Sequence, residues 1–299
     1  MIKIKKILCP VDFSDCSAKA LQNALLLAGT YKAELTVFHA VLVFEDETYQ
    51  PDERLPDFNE SYKILSEISD RKLNQLIKGE GNGFRIKKVT RRGFSASEEI
   101  LSYVQEHGFD LIVMGTHGRN VISHLLLGSV AEKVVRLAPC PVLTITADAK
   151  SISKSKNILV PMDFSDFSKT ALNYALEIAS QYDAQVTLFH VVEQQIHPSF
   201  YASGASSIFE IDTQLKQRVI SAMKKCCRDL DYATVTTDYE VVEGRPAHEI
   251  VEYTKHKNID LVVIATHGLT GLEHYIWGST TEKVVRSARV PVLTVKSNK

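Results

Sequence analysis

The sequence predicts an α/β chain of two tandem doubly wound domains, each a five-stranded parallel sheet flanked by helices. Three observations predict it. The chain repeats itself at a spacing of half its length. Within each repeat, short apolar runs alternate with stretches of helical period. Each repeat also places spaced glycines directly after its fourth apolar run and before a helix.

The repeat is plain to the eye. Residues 7–41, ILCPVDFSDCSAKALQNALLLAGTYKAELTVFHAV, return without a gap as residues 158–192, ILVPMDFSDFSKTALNYALEIASQYDAQVTLFHVV. Residues 110–145 return as residues 260–295, DLVVIATHGLTGLEHYIWGSTTEKVVRSARVPVLTV. Roughly half the aligned positions are identical, which marks a duplication. The expected division is a first domain over 1–147, a Ser/Lys-rich linker over 148–156 and a second domain over 157–299.

Each element has a reason in the first repeat. Lys3–Val11 is an apolar run short enough for a strand, and Ser17–Tyr31 carries Ala and Leu at helical spacing. Glu34–Val41 reads as the second strand, 58–79 as a long amphipathic helix and Arg85–Arg91 as a more polar strand. Ser97–Glu106 is a helix, Leu111–Gly115 a strand, Ser129–Leu137 a helix and Val142–Thr146 the last strand. Tyr239–Glu243 and the helix opening at His248–Tyr253 fill the corresponding places in the second repeat. Helices between apolar strands imply parallel pairing with right-handed crossovers, a Rossmann-like arrangement.

Bulk properties exclude some functions. Lys plus Arg number 35 against 36 Asp plus Glu, so the basic excess of a nucleic-acid binder is absent. No apolar stretch has the length of a membrane span, and Pro10 and Asp12 cut short the first apolar run as no signal peptide would be cut. The expectation is a soluble, cytoplasmic protein with no membrane or nucleic-acid partner.

In an open parallel sheet, ligands bind beyond the carboxyl ends of the strands, where strand order reverses. Three features fall there. Pro10, Val11 and Asp12 end the first strand, with Asp163 as the counterpart of Asp12. His39 to Val41 end the second strand, with Val192 as the counterpart of Val41. After Met114 comes Gly115-Thr-His117-Gly118, then nine residues, then Gly128-Ser129-Val130. Glycine lets backbone approach a ligand closely, and a helix N-terminus offers free N–H groups and partial positive charge to a phosphate. Ser129-x-x-Glu132 and Ser279-x-x-Glu282 have the capping-box pattern. The second loop reads Ala265-Thr-His-Gly268, then Gly278-Ser279-Thr280; Ala265 there would crowd a phosphate or demand another backbone angle.

The G-x2-G-x9-G-[S/T] loop, the P-V-D-F-S opening and the P-V-L-T closing strand resemble the universal stress protein family, once in each half. The resemblance implies an adenine nucleotide alpha hydrolase-like fold and an adenine-nucleotide site, ATP foremost, with Mg²⁺. It implies that Asp12 contacts the adenosine part and that Val41 meets the adenine edge through its backbone. Gly115, Gly118, Gly128, Ser129 and Val130 would hold ribose and phosphates. Asp163, Val192, Gly268, Gly278, Ser279 and Thr280 carry the same roles in the second half. The resemblance further implies pairing of domains through Pro141–Ile145 and Pro291–Val295 inside one chain; whether two such chains pair again into a homodimer is left open by the sequence.

Other residues invite chemistry. His117 sits inside the loop, but no second acid or base is fixed beside it by sequence, so no catalytic group is assigned. Arg119 could reach a phosphate, and its counterpart is Leu269, which makes the first site the better one. Cys9, Cys16 and Cys140 align with Val160, Phe167 and Val290, which are core residue types; with Cys226-Cys227 they are expected to be reduced thiols and not metal ligands. The loops 45–53 and 198–207 could flank the sites as lids. An ATP-binding regulatory stress-response protein is the leading expectation. A slow ATPase or a phosphoryl or nucleotidyl transferase could use the same cradle, although no Walker pattern is present. A scaffold that binds no nucleotide is the third reading.

Overall fold

The structure, a computed structural model, describes residues 2–42, 58–80, 83–117, 127–193, 207–230, 232–266 and 278–296. Two compact units emerge: Lys3–Ala147, and Asp148–Lys299 together with Met1–Ile2. Among the described residues, no helix is long and apolar enough to cross a membrane.

In the first unit β1 (Lys6–Pro10) leads to α1 (Asp15–Tyr31) and β2 (Glu34–Leu42). Then come α2 (Phe58–Leu76), β3 (Ile86–Gly93), α3 (Ala96–His107), β4 (Leu111–Gly115), α4 (Ser129–Leu137) and β5 (Val142–Ile145). The strands are ordered β3-β2-β1-β4-β5 and pair in parallel. The order reverses between β1 and β4, which is where a doubly wound sheet opens a crevice. The core is strand-borne: Ile7, Leu8, Leu35, Phe38 and Ile112 are fully buried. Helix α1 lays an alanine-rich stripe, Ala20, Ala24 and Ala28, onto it. Ser14 caps α1 by accepting from the Ser17 N–H, and Lys32 closes it in a left-handed conformation that turns the chain into β2.

Proline shapes the crevice. The Val11 N–H donates to Phe38 O on β2, so the next residue back faces β4. That residue is Pro10, which has no N–H to give. Pairing of β1 with β4 accordingly stops at Leu8 with Ile112, and the two strand ends part. Pro161 repeats the arrangement, with Met162 N–H donating to Phe189 O and pairing ending at Leu159 with Val262.

At the opposite strand ends a carboxylate ties the sheet together. Asp110 Oδ2 accepts from the backbone of Lys5 and Lys6 at 2.7 and 2.8 Å. Asp260 does the same for Lys156 and Asn157, and adds an ion pair to Lys150 at 2.8 Å. Burial alone pushes the Asp260 carboxyl up, but Lys150 and the two N–H donors outweigh it and hold it below its ordinary value.

The second unit repeats the plan. A short 3₁₀ turn at Ile152–Lys154, with Ile152 buried, lies within the segment read as a linker and belongs to this unit. There follow β6 (Asn157–Pro161), α5 (Asp166–Tyr182), β7 (Gln185–Glu193), α6 (Ile208–Ile211) and α7 (Leu215–Arg228). The chain continues through β8 (Thr237–Gly244), α8 (Pro246–His256), β9 (Leu261–Ala265), α9 (Ser279–Ser287) and β10 (Val292–Val295). Strand order is β8-β7-β6-β9-β10, again parallel. The units differ most between the second and third strands. Among the described residues there, the first unit has one long helix, α2, and the second has two shorter pieces, α6 and α7. Ser207 starts α6, and Glu243 of β8 accepts from its hydroxyl and from the Ile208 N–H.

Candidate functional site

The parted ends of β1 and β4 open into a cavity of about 610 Å³, within the usual range for small-molecule sites. Pro10, Val11 and Asp12 reach it from β1, and Val41 from β2. Met114, Gly115 and His117 enter from β4 and the turn after it. Gly128, Ser129 and Val130 enter from the start of α4. The structure therefore brings together every described residue that sequence reasoning placed in the first site. Gly118 and Arg119 lie outside the described residues, as do the acidic loop 45–53, Gly268, Leu269 and residues 198–206 of the second loop.

Asp12 is held before any ligand arrives. Its Oδ1 accepts from the Ser14 N–H at 3.0 Å and from the Ser14 hydroxyl at 2.6 Å. Phe13, between them, has φ of 65°, a left-handed conformation that a bulky residue rarely takes. Asp163, Ser165 and Phe164 repeat these bonds and this φ. Backbone strain of this kind clusters at functional sites, where surrounding structure enforces it. His39 Nδ1 lies 2.7 Å from Val11 O, and His190 Nδ1 2.7 Å from Met162 O. These bonds fix each imidazole at the strand top.

The helix start departs from the capping-box expectation. Gly128, not Ser129, occupies the cap position of α4, with extended backbone and no side-chain cap. Gly278 does the same for α9. The reason is local: the Gly128 N–H donates to Thr116 O at 2.7 Å, drawing the helix start onto the end of β4. A Cβ on Gly128 would lie 3.0 Å from that same oxygen. Ser129 thus becomes the first helical residue, exposed, and the N–H groups of the first turn have no intrahelical acceptors. The start of α4 lines the cavity, and a helix start of this kind is suited to an anion.

Gly115 also takes a different meaning. It lies inside β4, and a Cβ there would meet Cys16 Sγ at 3.0 Å and the Cys16 carbonyl carbon at 3.1 Å. The glycine makes room for the first turn of α1, so no phosphate and no unusual φ are needed to explain it. Ala265 sits in β9 in the same place, buried, where Phe167 replaces Cys16. The expectation that Ala265 demands another backbone angle is therefore set aside.

The second cavity is about 220 Å³, below the common range for ligand sites. Asp163, Gly278, Ser279 and Thr280 line it, but its wall at β7 is Phe189, His190 and Val191 and does not include Val192. Thr281, in the place of Ala131, is buried and donates to Ala265 O at 2.6 Å, closing over the strand end. Neither α6 nor α7 contributes a described lining residue, whereas α2 gives the first cavity Leu65, Ile68, Ser69 and Lys72. Sequence reasoning missed these four. The amphipathic character of 58–79 is visible in the sequence, but nothing local says which face meets the sheet top.

The cysteines are unbridged. Burial pushes the Cys9 thiol far up, and it raises Cys226 and Cys227 as well, which disfavours thiolate chemistry. Among the described residues, no group of three or more His, Cys, Asp or Glu is arranged to hold a metal.

Comparison with known proteins identifies the family and a like fold. A model of the universal stress protein family matches residues 3–146 and again 154–296. A universal stress protein of Methanocaldococcus jannaschii is 38% identical over 144 residues, covering 48% of this chain and 84% of the relative. One of Mycobacterium tuberculosis is 30% identical over 194 residues, covering 63% of this chain and 62% of its own. The crystal structure of a universal stress protein from Archaeoglobus fulgidus superposes with a TM-score of 0.69 at 21% identity, over 99% of this chain and all of that one, a likeness of fold.

Proposed function

The chain belongs to the universal stress protein family, and from that membership we propose that its N-terminal half binds an adenine nucleotide, ATP foremost, as a regulatory ligand. The carrying observation is the first cavity: adequate volume, a fixed carboxylate at Asp12, and the open N-terminus of α4, all at the strand-order switch point. The residues fit the ligand. Val41, Ile68, Ile100 and Met114 offer an apolar bed for a base, and the α4 N–H groups suit phosphate. Mg²⁺ would arrive on the nucleotide phosphates, since Asp12 is the one carboxylate among the described lining residues and Ser14 already holds it. The second half, by volume, is the lesser site. A cytoplasmic setting belongs to the same reading, and five unbridged thiols support it.

Calorimetric titration with Mg-ATP tests it, alongside mass spectrometry of nucleotide that co-purifies. The expected result is one site per chain, with adenine nucleotide recovered from the purified protein. No heat and no recovered nucleotide would leave the scaffold reading standing instead.

A further inference from the structure

Helix α2 gives the first cavity something the second lacks. Leu65, Ile68, Ser69 and Lys72 fall on one helical face and line the cavity together. The Ser69 hydroxyl already donates to Leu65 O at 2.8 Å, so it serves the helix. Lys72 serves no such purpose. Its ammonium stands 5.2 Å from the centroid of the Phe13 ring, a cation–π distance. The ring lies 4.5 Å from the His39 imidazole, on the strained turn that follows Asp12. Among the described residues, no carboxylate pairs with Lys72, and it is the one lysine or arginine lining the cavity. In the second half Phe164 and His190 form the same ring pair at 5.0 Å, yet no described residue lining that cavity is a lysine or arginine.

We propose that Lys72 is the specificity-determining residue of the first site, its ammonium meeting the ligand's phosphates so that the site selects phosphorylated adenine nucleotides over adenosine. The inference rests on the nucleotide reading above and assigns its charge selectivity to one residue. The α4 N-terminus supplies only about half an elementary positive charge, and the α9 N-terminus supplies the same in the second half. Lys72 adds a full charge on a flexible stem, held at the rim by an aromatic ring instead of being spent on a carboxylate. A nucleoside has nothing for that charge to meet.

The test is calorimetry with ATP, AMP and adenosine on wild type, Lys72→Met, Lys72→Arg and Phe13→Leu. Lys72 is exposed, so methionine there leaves the fold intact, which circular dichroism checks. Lys72→Met is expected to weaken ATP by about tenfold or more, AMP by less, and adenosine not at all. It should also flatten the salt dependence of ATP binding. Lys72→Arg should restore ATP, and Phe13→Leu should show a smaller loss confined to the phosphorylated ligands. Wild-type affinity for ATP in Lys72→Met, or equal weakening of ATP and adenosine, overturns the inference and leaves the nucleotide reading intact. A wild-type protein that binds neither ATP nor adenosine overturns both.

Discussion

The two cavities share nearly everything that a motif records, yet one has about 610 Å³ and the other about 220 Å³. Each has a proline that ends a ladder, an aspartate fixed by a serine, a phenylalanine at φ of 65° and a glycine-capped helix. What differs is the wall. In the first half α2 stands over the strand ends; in the second, Glu243 anchors a short α6, and Thr281 closes on Ala265 O. The sheet top that the two halves share therefore supplies polarity and strain, while the differing helices set the room beside it.

This contrast can be broken at several points. The largest effect is expected at Gly128→Val, whose Cβ would press on Thr116 O and displace the start of α4. ATP affinity should fall at least about a hundredfold, and Gly278→Val should change it little; equal losses by calorimetry would erase the asymmetry. Next is Gly115→Ala, which drives a methyl into the Cys16 backbone and should cost about 1–3 kcal/mol of stability in urea titration. Ala265→Gly should cost no more than about 1 kcal/mol, through chain entropy alone.

Asp260→Ala removes the acceptor of two part-buried backbone donors and should destabilise the second unit by about 1–3 kcal/mol. The Asp260 carboxyl is held below its unfolded value of 3.8, so its contribution is complete above that pH. It is lost as pH falls below 3.8 through the folded value, and melting curves across that window check the sign. Thr281→Ala is expected to do least. It copies Ala131 but brings no lysine-bearing wall, so ATP binding by the second half should rise by less than about tenfold.

Local pattern carried most of the fold. The limits Leu111–Gly115 and Ser129–Leu137 were readable because a glycine-bounded apolar run and a strongly amphipathic stretch leave little choice. Helix α1 starts two residues before the apolar period begins, since Ser14 caps it and periodicity cannot see a cap. Serine-x-x-glutamate pointed to Ser129 as the cap, whereas a backbone bond from Gly128 to Thr116 O moved the cap one residue back. The packing of Gly115 against Cys16 was not legible, because Cys16 lies about a hundred positions away in sequence. Lys72 escaped for the same reason: a helix pattern reveals a face, and only tertiary packing says what that face covers.

Pro10 has one more effect. A crevice made by pulling apart two strands would normally leave a donor without an acceptor, a penalty of about 1–3 kcal/mol that would drive the gap to zip shut. An imino acid at the parting point leaves no such donor. The parted ends of β1 and β4 are thus not drawn together by an unpaired donor on β1. A receptor with that property can report the presence or absence of its ligand while remaining folded in both conditions.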